Sequence, residues 1–237
     1  MIDIHTHILP GLDDGAKDIE DSIGLLKEAE KEGIKIVFAT PHYIPGLYRP
    51  SIKEITQAMS NLRKRISEEG IKIELIVGAE VNIEAEFDCE RMLSYSLNGA
   101  QKHILLELPF VSYPLNVEKR IEHFQSCGLV PVIAHPERAF LIIKNPEKVK
   151  EWKKRGMLFQ VNSKSILGRY GKMERKTAIW MLKNGLVDFI GSDTHNSKWG
   201  FDFDEVRPVL KKIVGKPKTD ELLGQNARRI LLPDSTL

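Results

Sequence analysis

The chain has 237 residues, 42% hydrophobic and 29% charged, with a formal net charge of +2. This is ordinary globular composition, and the length suits one α/β barrel of roughly 200–250 residues, so residues 1–237 are expected to form a single domain. The near-neutral balance argues against a nucleic-acid or membrane surface, and apolar runs such as "ELIVGA" and "HILLELPF" fall well short of the ~18 residues of a membrane helix. The opening lacks a basic region followed by an apolar one, so no signal peptide is expected.

In chain order, short apolar runs alternate with longer amphipathic ones. "MIDIHTHI" reads as strand one, followed by the helix "DIEDSIGLLKEAEKEG", with Ile19, Ile23, Leu26 and Ala29 at helical spacing and Gly33 as its stop. "IKIVFATPHY" reads as strand two. Ser51 caps the helix "IKEITQAMSNLRKRISEEG". "IKIELIVGAEVNI" is strand three, "EFDCERMLSYS" a short helix, "KHILLELPF" strand four and "NVEKRIEHFQSCG" its helix. "LVPVIAHPER" is strand five, "NPEKVKEWKKRG" its helix, and "MLFQVNSKSIL" strand six, with the helix "KMERKTAIWMLKNG" after it. "LVDFIGSDTH" is strand seven, and "FDFDEVRPVLKKIVG" and "TDELLGQNARRILL" are closing helices. Helices ending in Gly before the next apolar run are the pattern of a parallel sheet with crossover helices.

Cys89 and Cys127 make no C-x-x-C pair, so neither a zinc clip nor a disulfide framework is expected. Both read as inert free thiols in a reducing, cytoplasmic compartment. Neither has Arg at the spacing of a C-x5-R phosphate loop, where Tyr95 and Ile133 stand instead. A thiolate phosphatase is therefore excluded.

His5 and His7 end strand one, His42 strand two, Glu80 strand three, Glu107 strand four, His135 strand five, and Asp193 with His195 strand seven. In a barrel all strand C-terminal ends meet on one rim, so these scattered residues would converge. A doubly wound sheet would spread them along a line. His5 and His7, two apart, leave the same face of a strand. Imidazole mixed with several carboxylates suits divalent ions such as zinc, iron or manganese. His103 and His123 fall at a strand start and inside a helix, away from that rim, and read as structural.

The segments "MIDIHTHILPGLDDG", "TPHY", "GAE", "LLELP", "VIAHPER", "QVNS" and "SDTHN" together resemble the polymerase and histidinol phosphatase superfamily. More narrowly, they resemble the manganese-dependent protein tyrosine phosphatases of bacterial capsule and exopolysaccharide operons. The resemblance implies a distorted seven-stranded (β/α)7 TIM-like barrel and a three-metal site, with Mn²⁺ expected. By the family pattern His5, His7, Glu80 and Asp193 hold one ion, Glu80, Glu107 and His135 a second, and His42 with His195 the third. Where other members carry a further His after strand one, this chain has "DDG". Asp14 is the candidate ligand there and Asp13 its competitor, with a simple turn before Gly15 as the alternative.

Divalent ions lower the pKa of bound water toward ~7. Phosphoryl transfer then needs mainly positioning and charge stabilisation. Arg138, in "AHPER", is the candidate phosphate clamp, since a guanidinium fork matches phosphate oxygens; a structural ion pair with Glu137 is the alternative. Arg138, Asp193 and His195 are the candidate catalytic residues. The resembled phosphatases carry a second basic residue after D-x-H-N; here Lys198 stands there, with Arg169 and Arg49 as fallbacks. Tyr43, Tyr48, Tyr113, Trp199 and Phe201 are candidates to wall a phosphotyrosine ring. Asn162 either orients a ligand or caps the next turn.

The implied partner is a tyrosine-phosphorylated protein, the tail of a bacterial tyrosine kinase. The alternatives are a small-molecule phosphomonoesterase of histidinol-phosphatase type, an amidohydrolase barrel and a non-catalytic polymerase-type domain. Glu107 and Asn162 stand where an amidohydrolase supplies Lys and His. No ligand position is missing, which argues against the non-catalytic reading.

Overall fold

The computed structural model describes residues 1–86, 88–198 and 200–232. Among the described residues, nine parallel strands make two sheets. The first has the order β1 (Ile2–Thr6), β2 (Ile36–Ala39), β4 (Glu74–Val77); the second has β3 (His42–Tyr43), β5 (Glu80–Asn82), β6 (His103–Glu107), β7 (Val130–Ala134), β8 (Leu158–Asn162), β9 (Phe189–Gly191). The expected seven strands are thus not one uninterrupted set. Strand two divides into β2 and β3, and strand three into β4 and β5.

The interruption has a local cause. Pro41 has no N–H for a ladder, and the side chain of Thr40 enters the β1–β2 pairing: its Oγ1 accepts from Thr6 N and donates to Thr6 O. Gly78 sits opposite, where a Cβ would lie 2.8 Å from Leu97 Cδ2 and 3.2 Å from Thr40 Cγ2. Backbone bonds still cross the gap, from Gly78 N to Ala39 O and from Glu80 N to Pro41 O. At the other margin, β1 meets the segment after β9 through a parallel bridge between Thr6 and Thr194.

The helices are α1 (Ile19–Lys31), α2 (Ile52–Glu68), α3 (Cys89–Ser94), α4 (Val117–Ser126), α5 (Phe140–Lys144), α6 (Lys148–Lys154), α7 (Ser163–Leu167), α8 (Lys172–Lys183), α9 (Phe203–Asp220) and α10 (Arg228–Leu231). The sequence reading missed α5 and ran α7 into strand six. Asp18 caps α1, and a Ser51–Glu54 capping box opens α2, both meeting orphan N–H groups of a first turn.

Two apolar layers follow from strand alternation. Val37, Leu75, Leu106, Ile133 and Val161 pack in the same cluster as helix residues such as Ile23 and Leu62. Their sequence neighbours Phe38, Ile76, Leu105 and Val132 join Ile2, Ile4, Phe189 and Ile230 in a second cluster drawn from both sheets.

Cys89 and Cys127 are not free. They form a disulfide, with Cα atoms 5.2 Å apart, between the first residue of α3 and the C-cap of α4. Their sequence separation of 38 conceals the contact, which only the tertiary fold creates. The expectation of free thiols is overturned, and a reducing compartment can no longer be argued from cysteine usage.

Candidate metal centre

The strand ends deliver the expected side chains to one place. β1 carries a bulge: Asp3 pairs with Val37 and Thr6 with Ala39, so β1 uses one extra residue. A bulge re-aims side chains. Thus Ile4 lies in the apolar cluster with Phe38, while His5 beside it reaches Gln160 of β8. Asp3 Oδ1 holds the turn by accepting from His5 N and Ser192 N.

Among the described residues four groups of donors form, each with its ligand atoms within 4.8 Å of one another: His5, His7 and Asp193; His5, Glu80 and His135; His42, Glu80 and Glu107; and His7, Asp14, His42 and His195. All nine expected ligands are among them. The grouping differs from the family pattern: Glu80 is absent from the group of His5, His7 and Asp193, His5 rather than Glu107 joins Glu80 and His135, Glu107 stands with His42 and Glu80, and His7 stands with Asp14, His42 and His195.

The two aspartates divide the work. Asp13 lies behind the site: its Oδ2 accepts from His7 Nδ1 at 2.7 Å and from His42 N at 2.9 Å. Asp14 faces the site half-exposed, its Oδ1 3.5 Å from His195 Nε2 and 3.8 Å from His42 Nε2. Gly15 lets this loop lie on His7, because a Cβ there would come within 2.0 Å of His7 O.

The hydrogen bonds test whether these residues suit a cation. His5 Nδ1 donates to Gln160 Oε1 at 2.9 Å, and His7 Nδ1 donates to Asp13 Oδ2 at 2.7 Å. In the neutral ring each bond leaves a lone pair on Nε2. These two Nε2 atoms face one another at 3.2 Å, and carboxylate oxygens of Glu80 and Asp193 lie 3.1 to 3.6 Å from them. Facing lone pairs and anions repel unless something positive sits among them. Likewise His42 Nδ1 and Glu80 Oε2 approach to 2.9 Å, yet both are buried without a hydrogen bond. The donor set fits a divalent ion of the nitrogen–oxygen type.

The electrostatics agree. Burial opposes charge on His5, but the Glu80 and Asp193 carboxylates outweigh it and push the imidazole up to about 9. Burial likewise opposes charge on His7, and Asp13 drives it well above the usual histidine range. Glu80 and Asp193 are held well below the carboxylate range, the surrounding imidazoles overcoming burial. Glu107 is pushed up to about 7 by burial and by the charge of Glu80. The pocket therefore recruits positive charge.

Both His135 and Asp193 take positive φ, 29° and 53°. Backbone in such regions collects at functional sites. Asn162 proves an orienting residue: its Nδ2 donates to Asp193 Oδ2 at 2.8 Å, and it makes no side-chain cap for α7. Gln160 was missed in the sequence. It accepts from His5 Nδ1 and from His135 N, and its Nε2 donates to Asn162 Oδ1. The signal was available, because Gln160 and Asn162 are two apart on one strand and share a face. Lys164 was also missed. It is buried, and its ammonium donates to Ser192 O at 2.7 Å and Gly200 O at 3.0 Å, tying down the segment that bears Asp193 and His195.

Arg138 reaches the site, its Nη1 donating to Asp193 Oδ2 at 2.7 Å. Its guanidinium lies between two rings, with Cζ 4.3 Å from the Phe110 centroid and 4.1 Å from that of Tyr170. The alternative partner Glu137 instead accepts from Asn162 N. The second-cation candidates fare differently. Arg169 pairs with Asp202 and Glu205, Lys198 lines a cavity against Glu20, Asp21 and Leu25 of α1, and Arg49 is exposed before α2. Among the candidate wall residues, Tyr43 and Phe201 are buried in the core. Tyr48 stacks on His42 at 6.2 Å, Tyr113 is exposed, and Trp199 lies outside the described residues. His103 and His123 sit on β6 and α4, outside the four donor groups.

Comparison with known proteins places this geometry. Residues 1–232 match the family model described as capsular polysaccharide synthesis, CpsB/CapC. The chain is 37% identical over 234 residues to the tyrosine-protein phosphatase YwqE of Bacillus subtilis, covering 98% of this chain and 91% of that protein. It is 32% identical over 198 residues to the putative tyrosine-protein phosphatase CapC of Staphylococcus aureus, covering 83% and 77%. A solved chain from work on YwqE and Streptococcus pneumoniae CpsB, described as metal-dependent tyrosine phosphatases, superposes with a TM-score of 0.88 at 35% identity over 98% of this chain and 94% of its own. A histidinol phosphate phosphatase from Lactococcus lactis shares the fold alone, with a TM-score of 0.60 at 14% identity over 92% and 93%. With a family model spanning nearly its whole length, the chain belongs to the CpsB/CapC family of capsular polysaccharide synthesis.

Proposed function

We propose that the protein is a metal-dependent phosphatase that hydrolyses phosphotyrosine on proteins. The observation that carries this reading is the pair of imidazoles whose Nε2 lone pairs face each other at 3.2 Å beside Glu80 and Asp193, with a guanidinium held against that same Asp193. His5, His7, Asp14, His42, Glu80, Glu107, His135, Asp193 and His195 would hold the ions; their four overlapping groups accommodate the three expected, with Mn²⁺ the favoured metal. Bound divalent ions activate water at neutral pH and neutralise phosphoryl charge.

The remaining chemistry belongs to the chain. Gln160 and Asp13 keep His5 and His7 in the tautomer that presents Nε2 inward. Asp193 orients one edge of Arg138, leaving the rest of its fork for phosphate oxygens. His195 donates Nδ1 to the carbonyl of Asp193 and turns Nε2 toward Asp14. A tyrosine phenolate, with a pKa near ~10, leaves readily enough that no dedicated acid is assigned.

We read the site as the rim of one distorted barrel, supported by the Thr6–Thr194 bridge and the apolar cluster common to both sheets, and residues 1–237 as one catalytic domain. The substrate we favour is the phosphorylated tail of a bacterial tyrosine kinase in exopolysaccharide or capsule synthesis. Because such a substrate is made where ATP is present, we favour the cytoplasm as the enzyme's site of action. The test is turnover of a phosphotyrosyl peptide with and without added manganese. Metal-stimulated, chelator-sensitive release of phosphate is expected; full activity in excess chelator would refute the reading.

A further inference from the structure

We propose that Phe110 forms an aryl subsite beside Arg138, the place where the ring of an aryl phosphomonoester lies while its phosphate is held by the guanidinium. The inference rests on the phosphatase reading and assigns its preference for aromatic esters to one side chain. Phe110 follows β6 and remains 38% exposed, although its carbonyl is fixed by Phe140 N at 3.1 Å. A single exposed ring needs no explanation in general. This one touches two functional groups at once, with Arg138 Cζ 4.3 Å from its centroid and the His135 ring 5.3 Å away.

In an aryl phosphate only one ester oxygen separates the ring from phosphorus. A phosphate held by Arg138 therefore carries its ring into the distance over which aromatic rings pair, roughly 4.5–7 Å between centroids. An alkyl ester at the same position offers Phe110 much less surface. The loop beyond it continues outward through exposed Val111, Tyr113 and Leu115. The subsite thus opens along the surface, as a ring borne on a protein chain requires. The opposite edge of the rim has its own ring, Tyr48, but that ring stacks on His42 and serves as the control.

The test compares benzylphosphonate with methylphosphonate, neither of which can be hydrolysed at phosphorus–oxygen, by calorimetry on manganese-supplemented full-length protein. Wild type is expected to favour the benzyl compound roughly tenfold, near the upper end of one aromatic pair. Phe110→Ala and Phe110→Leu should each reduce that preference to within about twofold, with methylphosphonate affinity retained in Phe110→Leu and lowered in Phe110→Ala, which uncovers Arg138. Phe110→Leu retains an apolar cover against Arg138 but has no ring. If it weakened both phosphonates in parallel, Phe110 would act only through Arg138 and the proposal would fail. Survival of the preference in Phe110→Ala, or its loss in Tyr48→Ala instead, would equally overturn it. Wild-type protein that binds neither phosphonate would remove the phosphatase reading itself, a result separable from the others.

Discussion

At the scale of single residues, the site is governed by what stands behind each donor. Arg138 is clamped by a carboxylate at one edge and by rings on both faces, so its position is set before any substrate arrives. Replacing it with Ala should lower kcat/KM on a phosphotyrosyl peptide by about 100-fold, comparable to loss of one oxyanion donor, while metal content by elemental analysis stays unchanged. Loss of metal along with activity would show that Arg138 supports the ligands instead.

Asp13 makes a different prediction. Burial would raise its carboxyl, but the His7 imidazole prevails and holds it at about 2. A carboxyl depressed in the folded state stabilises the fold above its unfolded pKa near 4, and that stability is lost as pH falls toward 2. In chelator-stripped protein this contribution is ~2 kcal/mol. Urea denaturation at pH 5.5 should show Asp13→Asn less stable than wild type by about that amount. The difference should shrink steadily below pH 4; a gap that stays constant to pH 2.5 would contradict the ion pair.

At the scale of elements, the disulfide between α3 and the end of α4 encloses a long loop containing β6. In the chain-entropy account a loop of this length is worth about 3–4 kcal/mol, taken mainly from the unfolded state. Reduction, or Cys89→Ser with Cys127→Ser, should lower unfolding stability by roughly 2–4 kcal/mol, measured by denaturant titration with and without dithiothreitol. Identical midpoints would show the bond absent in solution.

The same elements mark where sequence reading reaches its limit. The strands carrying His5, His135 and Asp193 were legible because polar ligands interrupt apolar runs at strand ends. The break at Thr40 was not, because a hydroxyl's entry into the ladder depends on the neighbouring strand's position. The pairing of Cys89 with Cys127 was hidden for a similar reason: neither residue's surroundings carry any local pattern. Gln160 was readable from its spacing to Asn162 but has no chemistry that draws attention to it.

At the scale of the whole molecule, nine donors spread from His5 to His195 meet in four overlapping groups. That convergence was the most legible property of the sequence, since residue type and strand-end position both point to it. The division of roles between Asp13 and Asp14 was not, because either can reach the site from the same loop. The apolar interior beneath, filled from both sheets, gives the donors a rigid floor.

The four donor groups also have a topology of their own. His7 belongs to the first and last, His5 joins the first to the second, Glu80 the second to the third, and His42 the third back to the last. They close into a circuit in which each link is one shared side chain. His5 and His7 each keep one ring nitrogen free, so each can serve only one of the two groups it joins, whereas Glu80 has two carboxylate oxygens and can serve both of its groups at once. Manganese uptake followed by elemental analysis should fall further on Glu80→Ala, whose two oxygens face His135 and His42 separately, than on Glu107→Ala, which stands in a single group; equal losses would mean that Glu80 joins no two ions.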